Sequence, residues 1–198
     1  MIGSATVILL QHAQKERVPV DPPLTALGLQ QAQAVVPVLV RRDPRLLVSS
    51  PLLRARQTLA PLAERMGGRV PSRVEDAARE RMEWAPGVWA DVPSFLDDWG
   101  DCTEDRDRLP RQGDSSRGAA RRLRGLVERL GDEVGPDGVV VVATHGGVTV
   151  DLLRDLVGDE VLGDRLVEGM PACGLTTLQV TAEGIEVLAI GVVPKSAG

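Results

Sequence analysis

The stretch 5–16, ATVILLQHAQKE, passes from an unbroken apolar run into a polar cluster centred on His12. Two further runs share its character, RLLVSS at 45–50 and VVVVAT at 139–144. All three are rich in branched apolar residues without polar alternation, the pattern of strands covered on both faces. Helical patterns lie between them. In 24–42, Thr25 is placed as an N-cap, Leu27, Ala34 and Val35 recur near helical spacing, and Pro37 should kink or divide the helix. In 50–68, Ser50 precedes Pro51 as a helix start and Gly67–Gly68 supply the stop. The segment 113–134 puts Leu123, Leu126, Val127 and Leu130 on one helical face. The tail, 173–193, reads as two strands around a turn at Glu183–Gly184.

Strands alternating with helices predict a three-layer α/β/α sandwich with a mainly parallel central sheet. Ligands in such sheets bind beyond the carboxyl ends of the strands. His12 and His145, the two histidines of the chain, each follow a predicted central strand, and Arg54 follows a third. The GGVTVDLLRDLV that follows His145 opens a helix whose N-terminal N–H groups suit an anion. Taken singly, each histidine reads more readily as a core or capping residue than as a catalyst.

Composition narrows the chemistry. At 198 residues the chain suits one core, read as a single domain over 1–198. A formal net charge of −5 argues against nucleic-acid binding. No apolar stretch approaches bilayer-spanning length, and residues 5–10 are too short for a secretory signal. A cytoplasmic protein with reduced Cys102 and Cys173 is therefore expected, with no membrane partner. Two histidines and widely spaced cysteines offer no transition-metal site, so no metal or other cofactor is expected. The segment 83–108 carries all three Trp, the only Phe and many acids, and reads either as a lid over the strand ends or as a solvated surface excursion pinned by its Trp residues. The sequence sets no oligomeric state.

The motifs LLQHAQKE, DPPLTALGLQQA, SSPLLRARQTL, the Glu in RERMEW, QGDSSRGAARRL and VVVVATHGGV occur in one order. That order resembles the histidine phosphatase superfamily, also called the phosphoglycerate mutase-like family, from residue 6 to about 180. The resemblance implies a metal-independent phosphomonoester hydrolase acting on a small phosphorylated metabolite. It implies His12 as the nucleophile forming a phosphohistidine, and Arg54, His145 and Gly146 in the phosphate pocket, His145 donating in its protonated form. It implies Glu80 as the general acid, with Glu83 as its rival. An exposed ion pair is the bland reading of Glu80 and Arg81.

One position departs from the pattern. Gln11 stands where the family carries an arginine. A neutral amide in place of a charged donor should cost on the order of 1–2 kcal/mol, about five- to thirtyfold, in phosphate binding. Lys15, Arg17 or Arg81 could restore that charge, although solvent exposure is the expectation for Lys15 and Arg17. The alternative to a slowed enzyme is an inactive relative that binds a phosphorylated ligand or a protein partner. Mutase activity fits less well, because a highly anionic bisphosphate would meet a site short of one arginine under an acidic segment.

Overall fold

The computed structural model of the protein describes residues 3–18 and 20–194. Six strands form one sheet: β1 Ala5–Gln11, β2 Leu46–Ser49, β3 Ser72–Val74, β4 Val139–Thr144, β5 Leu175–Thr181 and β6 Gly184–Val192. Their spatial order is β3-β2-β4-β1-β5-β6. The first four run parallel, whereas β5 is antiparallel to both β1 and β6.

The central strands are apolar throughout because both faces are covered. Ile8, Leu10, Leu47 and Val141 share a core with Ala32, Val35, Val36 and Leu39 of α1 (Ala26–Val40) and Leu59 and Leu62 of α2 (Leu53–Met66). Val7, Leu9, Val140 and Val142 point the other way, onto Leu123, Leu126 and Leu130 of α4 (Ser116–Val134) and Leu152 of α5 (Gly146–Val157). Each strand thus feeds alternate side chains to two cores. Helix α3 (Val92–Glu104) lies in the Trp-rich segment, and α6 (Asp159–Leu162) and α7 (Arg165–Glu168) are single turns before β5.

Local details sharpen several expectations. Thr25 does cap α1, its side chain accepting from the Gly28 N–H. The buried face of α1 is nevertheless set by Ala32, Val35, Val36 and Leu39, while Leu27 and Ala34 are exposed. Helix α1 also runs unbroken through Pro37, which lies on its exposed face where water can satisfy the freed carbonyl. Gly67 ends α2 in the left-handed region, at φ 60°. The helix starts at Leu53 rather than Pro51, because Ser50 is drawn into the sheet edge. The turn between the last two strands is Ala182–Glu183, one residue earlier than predicted. Strand β3 is three exposed residues long and carries no pattern to predict it from. Cys102 and Cys173 are buried free thiols.

Candidate active site

Strand register brings the two histidines together. In the parallel β1–β4 pair, Gln11 lies opposite Thr144. The next residues, His12 and His145, therefore leave adjacent strands side by side, with ring centroids 5.3 Å apart. The His12 N–H donates to the Thr144 carbonyl at 3.1 Å and continues the ladder one step into the site.

The backbone fixes the tautomer of His12. Its Nδ1 lies 2.8 Å from the Ala13 carbonyl oxygen. A carbonyl can only accept, so Nδ1 carries the proton and Nε2 keeps a bare lone pair. Burial, and then the Arg54 charge, lower the ring's pKa to about 4, so the imidazole is neutral at physiological pH. Ala13 is fully buried, and its N–H donates to Thr58 Oγ1 at 2.9 Å. The same hydroxyl donates to the Arg54 carbonyl at 2.7 Å, which ties the His12 loop to the first turns of α2.

His145 is completely buried. Its Nε2 lies 2.7 Å from Ser50 Oγ. That hydroxyl also accepts from the Leu52 N–H at 3.2 Å; when it gives its own proton to Nε2, the imidazole proton is on Nδ1. Nδ1 is buried and unpartnered. Burial and the neighbouring Arg54 and His12 hold the ring's pKa well below its usual value. The lowered pKa favours a neutral ring with one N–H to offer over the protonated His145 expected from sequence.

Arg54 is buried at the start of α2 and is engaged by both Glu83 oxygens, Nη2 at close range to Oε1 and Nη1 at 3.3 Å from Oε2. Glu80 takes a different position. Its Oε1 accepts from the backbone N–H groups of Arg81 at 2.8 Å and Val148 at 2.7 Å, and its Oε2 from Gly147 at 3.0 Å. The N-terminus of α5 therefore holds a carboxylate of the chain itself where a phosphate was anticipated. Only a glycine fits at 147: a Cβ there would lie 2.5 Å from Trp99 Cη2 and 2.7 Å from Glu80 Oε1. Arg122 pins the segment bearing Glu80, donating to the Ala77 and Arg79 carbonyls at 2.7 and 3.0 Å.

His12, Arg54, Glu80 and Glu83 line one cavity of about 450 Å³, together with Lys15 and Arg17 at its mouth. Lys15 and Arg17 are exposed, as expected, yet both border this cavity. Partial burial and the Arg54 charge lower the Lys15 pKa. Gln11 sits behind the histidines, 9% exposed, with Oε1 buried, unpartnered and close to Gly146.

Arg81 is not the exposed partner of Glu80. It is 2% exposed, 3.1 Å from Asp151, and stacked 4.1 Å from the Trp99 ring centroid. It supports the cavity wall from behind and supplies no charge to the cavity. Trp84 and Trp99 line the cavity, whereas Trp89 is buried and donates to Asp98 at 3.0 Å. Ser50 and Thr58 were missed as site residues. Ser50 reads from sequence as a helix cap and Thr58 as an interior helix position.

The model of the histidine phosphatase superfamily (branch 1) matches residues 7–192. A glucosyl-3-phosphoglycerate phosphatase of Mycobacterium tuberculosis is 32% identical over 192 residues, covering 87% of this chain and 84% of its own. One from Mycolicibacterium vanbaalenii is 31% identical over 183 residues, covering 83% and 79%. The structure of the mycobacterial glucosyl-3-phosphoglycerate phosphatase with inorganic phosphate superposes with a TM-score of 0.71 at 30% identity, covering 94% of this chain and 97% of its own. A phosphoserine phosphatase of Entamoeba histolytica, 20% identical with a TM-score of 0.72 and covering 95% and 97%, shares the fold. The match over nearly the whole chain, on a fold that sets His12 and His145 side by side at the ends of adjacent strands, shows that the chain belongs to the histidine phosphatase superfamily.

Proposed function

We propose that the protein is a phosphomonoesterase that needs no metal and passes the phosphoryl group of a small phosphorylated metabolite through His12. One observation carries the reading: His12 is a neutral imidazole with Nδ1 committed to the Ala13 carbonyl, leaving Nε2 as the nucleophilic nitrogen on the cavity side. In the first step Nε2 bonds to phosphorus and the ester P–O bond breaks. Arg54 and the His145 Nδ1–H carry the charge on the phosphoryl oxygens. Gln11 and the Gly146 backbone complete that pocket, Gln11 through an amide N–H.

Glu80 is the general acid in this scheme. Its Oε1 receives two N–H donors and serves as the carbonyl side; Oε2, with one, carries the proton given to the leaving oxygen. In the second step Glu80 takes a proton from water as that water attacks phosphorus, and the P–N bond returns its electrons to His12. Glu83 is engaged by Arg54 and is the weaker candidate for this role. The relatives named for glucosyl-3-phosphoglycerate support a small phosphorylated substrate class. The test is turnover of a phosphomonoester panel in the presence of a chelator, wild type beside His12→Ala. Retained wild-type activity and its loss by at least about a thousandfold in the variant are expected. Persisting activity in His12→Ala overturns the assignment.

A second reading rests on Gln11 and on the Glu83 carboxylate at Arg54: a protein that binds phosphorylated ligands without turnover. Binding of inorganic phosphate with no hydrolysis of any ester would favour it.

A further inference from the structure

The far wall of the cavity is built for something apolar. Helix α3 carries Val92, Phe95, Leu96 and Trp99 at i, i+3, i+4 and i+7, a single stripe that a helix ordinarily presses against a core. Here all four side chains line the cavity that contains His12 and Arg54. Phe95 and Trp99 also pack against Met82, Trp89 and Cys102, the small core that anchors α3, whereas Val92 and Leu96 are left to the cavity. Val18 and Val20 border the same cavity from the loop after β1. Val18, Val20, Val92 and Leu96 remain between 49% and 59% exposed. Apolar side chains left in water on both sides of a catalytic cleft lose free energy until a ligand covers them.

Apart from Arg17, which borders the cavity beside Val18, the charged lining residues lie at the other end. Lys15, Arg54, Glu80 and Glu83 gather near His12, and Lys15 feels both Arg54 and Glu83. A cavity of about 450 Å³ is also of the size that holds a whole small ligand, about 300–1,000 Å³, and exceeds what a phosphoryl group needs. Apart from the indole N–H groups of Trp84 and Trp99, such a wall offers few hydrogen-bond partners to a polyhydroxylated group, whose hydroxyls would be stripped of water without replacement.

Building on the phosphatase reading, we propose that the leaving group is an apolar alcohol, alkyl or aryl, seated between the α3 stripe and the side chains of Val18 and Val20. Substrate selection then follows the length of the hydrocarbon. The occupant is set by continuity: one cavity joins the phosphoryl-handling residues to the stripe.

The experiment pairs n-alkyl phosphates from methyl to octyl with the matching n-alkyl phosphonates, which cannot be hydrolysed at the P–C bond. The expected result is a rise in kcat/KM of about two- to fourfold per methylene until the cavity fills, with full burial of a CH₂ corresponding to roughly fourfold. Phosphonate affinity should climb in parallel, and the double variant Val92→Asn, Leu96→Asn should flatten both slopes. Hydrolysis that is flat or falling with chain length overturns the apolar leaving group and leaves the phosphatase reading standing. Phosphonate affinity that climbs without hydrolysis of any ester sustains the apolar site and overturns the phosphatase reading. Neither binding nor turnover across the series overturns both.

Discussion

Both oxygens of the Glu83 carboxylate face the guanidinium of Arg54, the buried cation of the proposed phosphate pocket. A phosphate that takes Arg54 must displace this carboxylate. Glu83→Gln should therefore tighten binding of inorganic phosphate about fivefold, corresponding to roughly 1 kcal/mol for a partly exposed pair. Calorimetric titration measures this directly. Glu80→Gln should instead leave phosphate affinity near wild type and lower kcat by about a hundredfold or more. A reversal of these two patterns would exchange their roles.

Gln11→Arg restores a charged donor beside the histidines. The expected gain in kcat/KM is about five- to thirtyfold, the difference between a neutral and a charge-assisted hydrogen bond. Steady-state kinetics on one ester suffices to check it. An unchanged rate would mean that the pocket already has its charge, with Lys15 at the cavity mouth as the source to examine next.

Acid should destabilise the fold in a defined window. His12 binds its proton below 6.5 in the unfolded chain but only below about 4 in the native protein. Between those values the unfolded state holds the extra proton, so stability falls as pH drops from 6.5 towards 4. His12 alone accounts for no more than about 3 kcal/mol of this loss, and His145 acts in the same direction. Thermal unfolding followed from pH 7 to 4 should show a falling Tm, with a shallower fall in His12→Asn.

The buried pair Arg81–Asp151 underlies the cavity wall through Trp99. Burial raises the Asp151 pKa to about 6 despite the neighbouring arginine, so an unpaired carboxylate there would be costly. Arg81→Leu should lower stability by about 3–5 kcal/mol, and adding Asp151→Leu should recover most of that loss. Denaturant unfolding of the single and double variants checks both parts.

The sheet was legible because its central strands are covered on both faces and so lack polar alternation. The same feature made the histidines stand out as the first polar residues beyond two buried runs. Glu80 and Arg81 were less legible. Adjacent charges ordinarily mean surface, yet one accepts from the N-terminus of α5 and the other lies buried against Asp151. Their partners sit some 70 positions away, at Gly147, Val148 and Asp151, where local pattern has no reach. Ser50 shows the same limit. A serine before a proline reads as a helix cap, but the carbonyl of Ala143 and the ring of His145 claim it first.

In the proposed reaction the phosphoryl group travels through His12, and it can be trapped there. Wild type and Glu80→Gln are mixed with a labelled phosphomonoester, quenched in alkali within milliseconds and mapped by peptide. The expected product is an acid-labile, base-stable phosphate on Nε2 of His12, accumulating further in Glu80→Gln with activated aryl esters because dephosphorylation loses its base. Steady turnover with no label on His12 at any time would contradict this route.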